Sequence, residues 1–360
     1  MTEKKKKVIV AMSGGVDSSV AALLLKKQNY DVIGIYMKNW SDPTGLTHCP
    51  WEEDMRDAQA VCQKLNIPFY TISLEKEYKK VVFDYMITEY KAGRTPNPDI
   101  MCNKKIKFDL FLKKAKTFGA DFIATGHYIR KNKAKNGLLK LYEAKDKNKD
   151  QSYFLYVLTQ KQLAQCFFPI GDYAKSQVRE IAKKAGLPNW QKKDSQGLCF
   201  IGQVDFRKFL AKWIKTKPGQ LITTDGKVIG KHKGVAFYTV GQKAGIGGRG
   251  PYYVTKINAK LNVIYVTNKK NDPTLFGRGL IAKEVNWIAG HSPKLPAKIQ
   301  AKIRYRTADA SAIIKPVGRS DLQIRQVKVS FTRPQRAITP GQSVVFYQNE
   351  EMLGGGIINL

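Results

Sequence analysis

Three polar segments of this chain hold residue types that can do chemistry together. The first is Gly93-Arg94-Thr95-Pro96-Asn97-Pro98-Asp99-Ile100-Met101-Cys102-Asn103. Two prolines flank Asn97, so the backbone there is stiff and extended. Asp99 and Cys102 follow three residues apart, ahead of a basic helix that Asn103 could cap. A thiol near a helix N-terminus and beside Lys104 and Lys105 is expected to have a lowered pKa and to be a competent thiolate nucleophile. The plain alternative is a turn with a core cysteine. The second segment is Lys193-Asp194-Ser195-Gln196-Gly197-Leu198-Cys199-Phe200-Ile201-Gly202, a polar loop that also carries a cysteine. The third is Ser13-Gly14-Gly15-Val16-Asp17-Ser18-Ser19. Its glycines let the backbone approach an anion, its serines add hydroxyl donors, and Asp17 could hold Mg²⁺. It lacks the lysine of the G-x-x-x-x-G-K-[ST] loop, so it is a different kind of phosphate loop.

These segments need a scaffold, and the pattern supplies one. Val8-Ile9-Val10-Ala11-Met12 reads as a buried strand, and the Ala/Leu-rich run from Ser19 to Lys27 reads as a helix. The 13–19 loop therefore sits at a strand-to-helix turn, where helix N–H groups and the dipole favour a phosphate. Further strands are expected at 32–36, 68–72 and 120–124, and helices at 51–65, 77–91 and 104–118. Alternation of this kind predicts an α/β fold with a doubly wound parallel sheet. Ligands bind beyond the carboxyl ends of such strands, which brings the 13–19 loop, Met37 and Gly126 to one rim. From about Gly219 onward, short β-rich runs alternate with turns, among them 234–240, 263–266, 303–305 and 343–347. They predict one or two small β domains, the last barrel-like.

Composition narrows the partners. The 360 residues carry 62 Lys and Arg against 29 Asp and Glu, a net charge of +33. A polyanion is the natural partner, and nucleic acid is the first choice. Lysines spread over helical stretches, as at Lys113, Lys114, Lys116, Lys183 and Lys184, would give the same total without that function. The segment Lys149-Asp150-Gln151-Ser152-Tyr153-Phe154-Leu155 mixes cations, amides and aromatics in a way that suits RNA, though it also reads as a capped helix start. The five cysteines are odd in number and show no zinc spacing, which fits a reducing, cytoplasmic setting. Cys62 and Cys166 lie in core-like patterns, and Cys49 lies in a loop. No apolar run approaches membrane-spanning length, and residues 1–7 do not lead into a secretory signal.

Residues 13–19 resemble the pyrophosphate loop of the N-type ATP pyrophosphatases. Taken with 93–107, 125–128, 149–155, 194–202 and the C-terminal stretches 339–347 and 353–358, the chain resembles the bacterial tRNA-specific 2-thiouridylase family over nearly its whole length. The resemblance implies an N-terminal ATP pyrophosphatase domain over 1–204, a central β-rich domain over 205–275 and a C-terminal β-barrel over 276–360. It implies ATP and Mg²⁺ as cofactors, and conversion of uridine 34 of Glu, Gln and Lys tRNAs to 2-thiouridine, with AMP and pyrophosphate released. It implies a persulfide sulfur on Cys199, fed by a relay protein and a cysteine desulfurase. Cys102 would be the nucleophilic partner able to close a disulfide with Cys199, and Asp99 the acid/base residue. Ala11, Met12, Ser13, Gly14, Gly15, Val16, Asp17, Ser18, Met37 and Gly126 fall on ATP-contacting positions. Asn97, Pro98, Asp99, His127, Lys149, Asp150, Gln151, Arg304, Tyr305 and Gln342 fall on tRNA-contacting positions.

The chain departs from the family pattern at Lys105, where glutamate is usual, at Tyr252, where tryptophan is usual, and in a shorter 241–248 stretch. Two other functions share parts of the pattern. Another pyrophosphate-loop enzyme adenylating a small metabolite would need neither Cys102 nor Cys199. An RNA-binding protein with a vestigial nucleotide site would bind RNA without turning over ATP.

Overall fold

The computed structural model describes residues 5–41, 51–194, 205–245, 250–318 and 324–360. Cys49 and Cys199 lie outside them. The first half runs β1 (Lys7–Met12), α1 (Val16–Lys27), β2 (Asp31–Lys38), α2 (Trp51–Lys64), β3 (Phe69–Ser73), α3 (75–91), α4 (98–117), β4 (Phe122–Ala124), β5 (Ile129–Lys133), β6 (Leu139–Glu143), α5 (Gln160–Leu163), β7 (Cys166–Phe167) and α6 (Lys175–Lys184). Five of these strands form a parallel sheet in the order β3-β2-β1-β4-β7, as the α/β alternation predicts. The buried run Val8, Ile9 and Val10 makes β1 its centre, because a strand covered on both faces needs apolar side chains on both. α4 feeds β4, so it runs antiparallel to the strands. Phe108, midway along it, has its ring 5.8 Å from that of His127, just past the end of β4, so its N-terminal half lies on the carboxyl side of the sheet, the side of the turn after β1. Both α3 and α4 widen into π-type turns, over Lys79–Phe83 and Asn103–Leu110.

A short helix, α7 (Phe206–Trp213), leads to a second sheet of β8 (Gly219–Thr223), β9 (Val228–His232), β10 (Lys243–Ala244), β11 (Tyr252–Asn258) and β12 (Val263–Thr267). Residues 234–240 do not make the expected strand. Val235–Phe237 is a 3₁₀ turn, entered through Gly234 at φ 138°, a conformation that breaks strand pairing.

The last six strands are β13 (Phe276–Trp287), β14 (Ala297–Lys302), β15 (Ala310–Pro316), β16 (Val327–Arg336), β17 (Ser343–Gln348) and β18 (Glu351–Asn359). They run in the order β13-β16-β15-β14-β17-β18, and β18 pairs back onto β13 to close a barrel. Its interior holds Ile299, Ile314, Val329, Val344, Phe346 and Ile358. Residues 303–305 are not a strand. β14 stops at Lys302 and the chain turns through Arg306 at φ 63°.

One pairing crosses from the first half to the last. The hairpin β5–β6 joins the barrel sheet through β18, with Tyr142 opposite Glu351 and Leu141 opposite Met352. Behind this seam Lys302 faces Glu143, Asp150 at 3.9 Å and Asp309 at 3.6 Å. The Lys302, Glu143 and Asp150 side chains are only 14%, 8% and 6% exposed. Removing the cation would leave buried Asp150 without one, and Glu143 with Lys147 alone, at 2.8 Å. Lys302→Ala is expected to lower the unfolding free energy in urea by about 3–5 kcal/mol. A change below about 1 kcal/mol would mean that water screens the cluster.

Candidate nucleotide and tRNA site

The 13–19 loop has the architecture of an anion cradle. Gly15 precedes α1, and no side chain caps the helix, so its first-turn N–H groups point to the rim without a side-chain acceptor. Ser13 and Ser18 hold each other at 3.2 Å, and the Ser18 and Ser19 hydroxyls donate to the Gly15 carbonyl at 3.1 and 2.9 Å. Gly14 adopts φ 73°, and a Cβ there would come within 2.3 Å of the Asp54 carbonyl. A Cβ on Gly126 would come within 2.6 Å of the Ser18 nitrogen. Both glycines are therefore required by close packing around the loop. Asn189 braces it from behind, donating to the Gly14 carbonyl at 2.7 Å and to the Ser19 hydroxyl at 3.0 Å. Its own carbonyl oxygen is buried with no hydrogen-bond partner. Ala11, Met12 and Val16 lie buried beneath the loop, and Met37 is buried at the end of β2.

Asp17 is already engaged. Its Oδ1 accepts from the Tyr128 hydroxyl at 2.8 Å and from Lys175 Nζ at 2.7 Å. Burial, with the nearby Asp17 carboxylate, pushes the Tyr128 hydroxyl pKa upward, so it stays a donor. Lys175 also meets Asp194 at 2.8 Å, and Lys149 and Arg179 reach the same carboxylate at 2.6 and 2.8 Å. Burial alone would raise Asp194, but the hydrogen bonds from Lys149 and Lys175 outweigh it and hold the group at about 2. Sequence reading did not single out Lys175, Asn189 or Asp194 as site residues. Asp17 and Lys175 are 158 positions apart, and no local pattern signals such a pair.

The cysteine segment differs from its expected form. The cap of α4 is Asn97, whose side chain accepts from the Ile100 N–H at 3.2 Å, and Pro98 takes the first helical position. Pro98 suits that position because it has no N–H to leave unsatisfied. Asn103 is therefore not the cap. It is buried inside the helix and donates to the Phe154 carbonyl at 3.1 Å. Cys102 lies on a helix, not in a loop, and is fully buried. Asp99, half-buried, precedes it by three residues, so the two are neighbours along one face of the helix. Cys62 and Cys166 are core residues, and burial pushes both thiols up to about 12.

The remaining expected tRNA positions separate into two groups. Lys149, Asp150 and Tyr305 line one cavity of about 730 Å³ with Tyr153, Lys302 and Arg306. Tyr305 packs against Phe154 with ring centroids 4.5 Å apart. Asp150 is itself buried behind that cavity, and the others face inward. Asp150 accepts from the Ala144 N–H at 2.9 Å and the Ser152 hydroxyl at 2.7 Å, and Gln151 accepts from the Tyr128 N–H at 3.0 Å. Arg304 Nη2 donates to the Val240 and Ala337 carbonyls and the Thr339 hydroxyl, at 2.9, 3.0 and 2.8 Å. Gln342 donates to the Thr95 and Pro96 carbonyls at 3.0 and 3.1 Å.

His127 is buried, with Nδ1 2.7 Å from the Thr125 hydroxyl. Burial and then the Lys107 charge drive its pKa well below the ordinary 6.5. The folded protein therefore keeps this ring neutral while the unfolded chain protonates it. Its contribution is complete above pH 6.5 and is lost as pH falls toward the folded value. Between pH 7.5 and 5.5 the wild type is expected to lose about 1 kcal/mol more unfolding free energy than His127→Gln. Equal losses in urea titrations would refute the assignment.

Three family models cover the chain end to end. A "tRNA methyl transferase HUP domain" matches residues 6–203, a "tRNA methyl transferase PRC-barrel domain" 207–268 and an "Aminomethyltransferase beta-barrel domain" 277–358. The curated relatives include the tRNA-specific 2-thiouridylase MnmA 2 of Geobacillus kaustophilus, 49% identical over 98% of this chain and 94% of its own length. The tRNA-specific 2-thiouridylases MnmA of Legionella pneumophila and Halalkalibacterium halodurans are 48% and 50% identical, each over 98% of this chain and over 98% and 94% of their own lengths. Half of all positions are thus shared across almost the entire sequence, and the chain belongs to the tRNA-specific 2-thiouridylase family.

Proposed function

We propose that this chain is an ATP-dependent tRNA-uridine 2-sulfurtransferase that adenylates O2 of U34 and replaces it with sulfur. The observation that carries the reading is the placement of α4. Asp99 and Cys102 start a helix whose N-terminal half lies on the carboxyl side of the sheet, as the 13–18 cradle does, and Cys102 shares an apolar cluster with Ala11 and Met37. The likeness of the whole chain to named tRNA-specific 2-thiouridylases supports the same substrate.

The cradle fits a polyphosphate, since Gly14 and Gly126 leave room only for backbone and the first turn of α1 is uncapped. Asp17 is the carboxylate that would hold Mg²⁺, which typically binds through one or two carboxylates together with substrate phosphates and neutralises their charge. Adenylation turns the uridine O2 into a leaving group, with pyrophosphate released. The terminal sulfur of a Cys199 persulfide then bonds to C2 and AMP departs. Attack of the Cys102 thiolate on the Cys199 sulfur closes a disulfide and leaves the second sulfur on the base, and an external thiol reductant restores both cysteines. Asp99 moves the proton. An extruded base is needed for any of this, because O2 is inaccessible in a stacked loop. The sulfur source is read as a persulfide relay protein, and the tRNAs as those for Glu, Gln and Lys. Among the described residues no helix is long and apolar enough to cross a membrane.

The test is transfer of labelled sulfur to tRNA in the presence of ATP. Cys102→Ser is expected to abolish transfer while pyrophosphate release continues, and Asp99→Asn to slow it by roughly 10²–10⁴-fold. Asp17→Ala is expected to stop tRNA-dependent pyrophosphate release. Formation of ADP and phosphate in place of AMP and pyrophosphate, or full transfer by Cys102→Ser, would overturn the reading.

A further inference from the structure

The carboxylate of Asp194 receives three cations. Lys149 reaches one oxygen at 2.6 Å, and Lys175 and Arg179 share the other at 2.8 Å each. One carboxylate carries one charge and cannot neutralise three. Two of the three cations are also held independently of it. Arg179 Nη1 donates to the Trp190 carbonyl at 3.1 Å, and Lys175 Nζ meets Asp17 at 2.7 Å. Lys175 is the most enclosed of the three, with 12% of its side chain exposed. An array of guanidinium and ammonium groups around a two-oxygen anion is the geometry that receives a phosphoryl group. Through Lys175 the array is continuous with the 13–18 cradle.

Resting on the proposed function, we infer that Lys149, Lys175 and Arg179 form a phosphoryl-binding site whose ligand Asp194 imitates, and that Asp194 gives way when the phosphoryl group arrives. The Lys175–Asp17 contact assigns that group to the polyphosphate end of ATP, which leaves as pyrophosphate. A backbone phosphate of the RNA has the same chemistry, and experiment separates the two sources. In this arrangement Asp194 keeps the three cations from repelling one another while the site is empty, and it competes with the incoming anion. Lys175 then has a partner at every stage, first the two aspartates and afterwards Asp17 and a phosphate oxygen.

The experiment measures binding of inorganic pyrophosphate with Mg²⁺, and separately of an unphosphorylated anticodon stem-loop RNA, by titration calorimetry at fixed ionic strength. Asp194→Asn removes the competing charge and is expected to bind pyrophosphate about tenfold more tightly than wild type. Arg179→Gln is expected to bind it about tenfold more weakly. A carboxylate with only a structural role would instead leave affinity unchanged or weaken it when replaced. If Asp194→Asn does not fold, Arg179→Gln and Lys149→Gln decide, and unchanged pyrophosphate and RNA affinities in both overturn the site. Tightening for the RNA alone places the RNA backbone there. A wild type that releases AMP and pyrophosphate while no variant changes either affinity keeps the proposed reaction and removes this site. A wild type that binds neither ATP nor pyrophosphate removes both.

Discussion

Thr95 is the point at which the three sheets of this protein are fastened together. Its N–H donates to the Pro340 carbonyl at 3.0 Å, its carbonyl accepts from Gln342, and its hydroxyl lies 3.0 Å from that of Thr239. Pro340 and Gln342 belong to the turn entering β17, and Thr239 belongs to the central domain. The next residues are Pro96, Asn97 and Pro98, which have little freedom of their own. Fixing Thr95 therefore fixes the direction in which α4 starts, and with it Asp99 and Cys102. Gly341, at φ 89°, is what permits the approach, since a Cβ there would come within 3.0 Å of the Thr95 carbonyl. The barrel is thus part of the scaffold of the proposed active site as well as a candidate surface for RNA.

The same closeness recurs along the seam. A Cβ on Gly355 would come within 2.7 Å of the Val344 carbonyl and 2.8 Å of the Tyr156 ring, so the glycines of β18 let an aromatic of the first half lie flat against the barrel. Tyr153 and Tyr156 then donate to, or share a hydrogen bond with, the carbonyl and hydroxyl of Ser343 at 2.8 and 3.0 Å. Asn286 reaches back to the Tyr156 and Leu158 carbonyls at 2.6 and 2.9 Å. Buried donors paired across an interface resist sliding, because any shift leaves several unsatisfied together. Residues 152–158 are therefore held by the barrel, while Lys149 stays at the cavity it lines with Tyr305.

The sheet, its helices and the phosphate cradle were legible because each rests on a local signal: a β-branched run, an amphipathic period, a glycine pair between them. The Asn97 cap was within reach of the same reasoning, since a proline at the first helical position points to the residue before it as the cap. The Gly234 and Arg306 regions were misread because an apolar run also arises where a turn tucks its side chains into a core. The β5–β6 hairpin could not be seen joining the barrel, for strand partners more than 200 residues apart leave no trace in either segment. Lys175 was invisible for the same reason. Its importance lies wholly in the two aspartates that the fold brings to it.

The pairing of β6 with β18 also orders events in time. Leu141 and Met352 lie side by side, so the hairpin made early in synthesis keeps an open edge until the final strand of the barrel has formed. Contacts this distant in sequence form late and slowly, and an unpaired strand edge invites pairing with another chain meanwhile. Lys140, on β6 itself, places a positive charge on the waiting edge, a means of keeping nascent copies apart until β18 arrives and its Glu351 meets that cation at 2.8 Å.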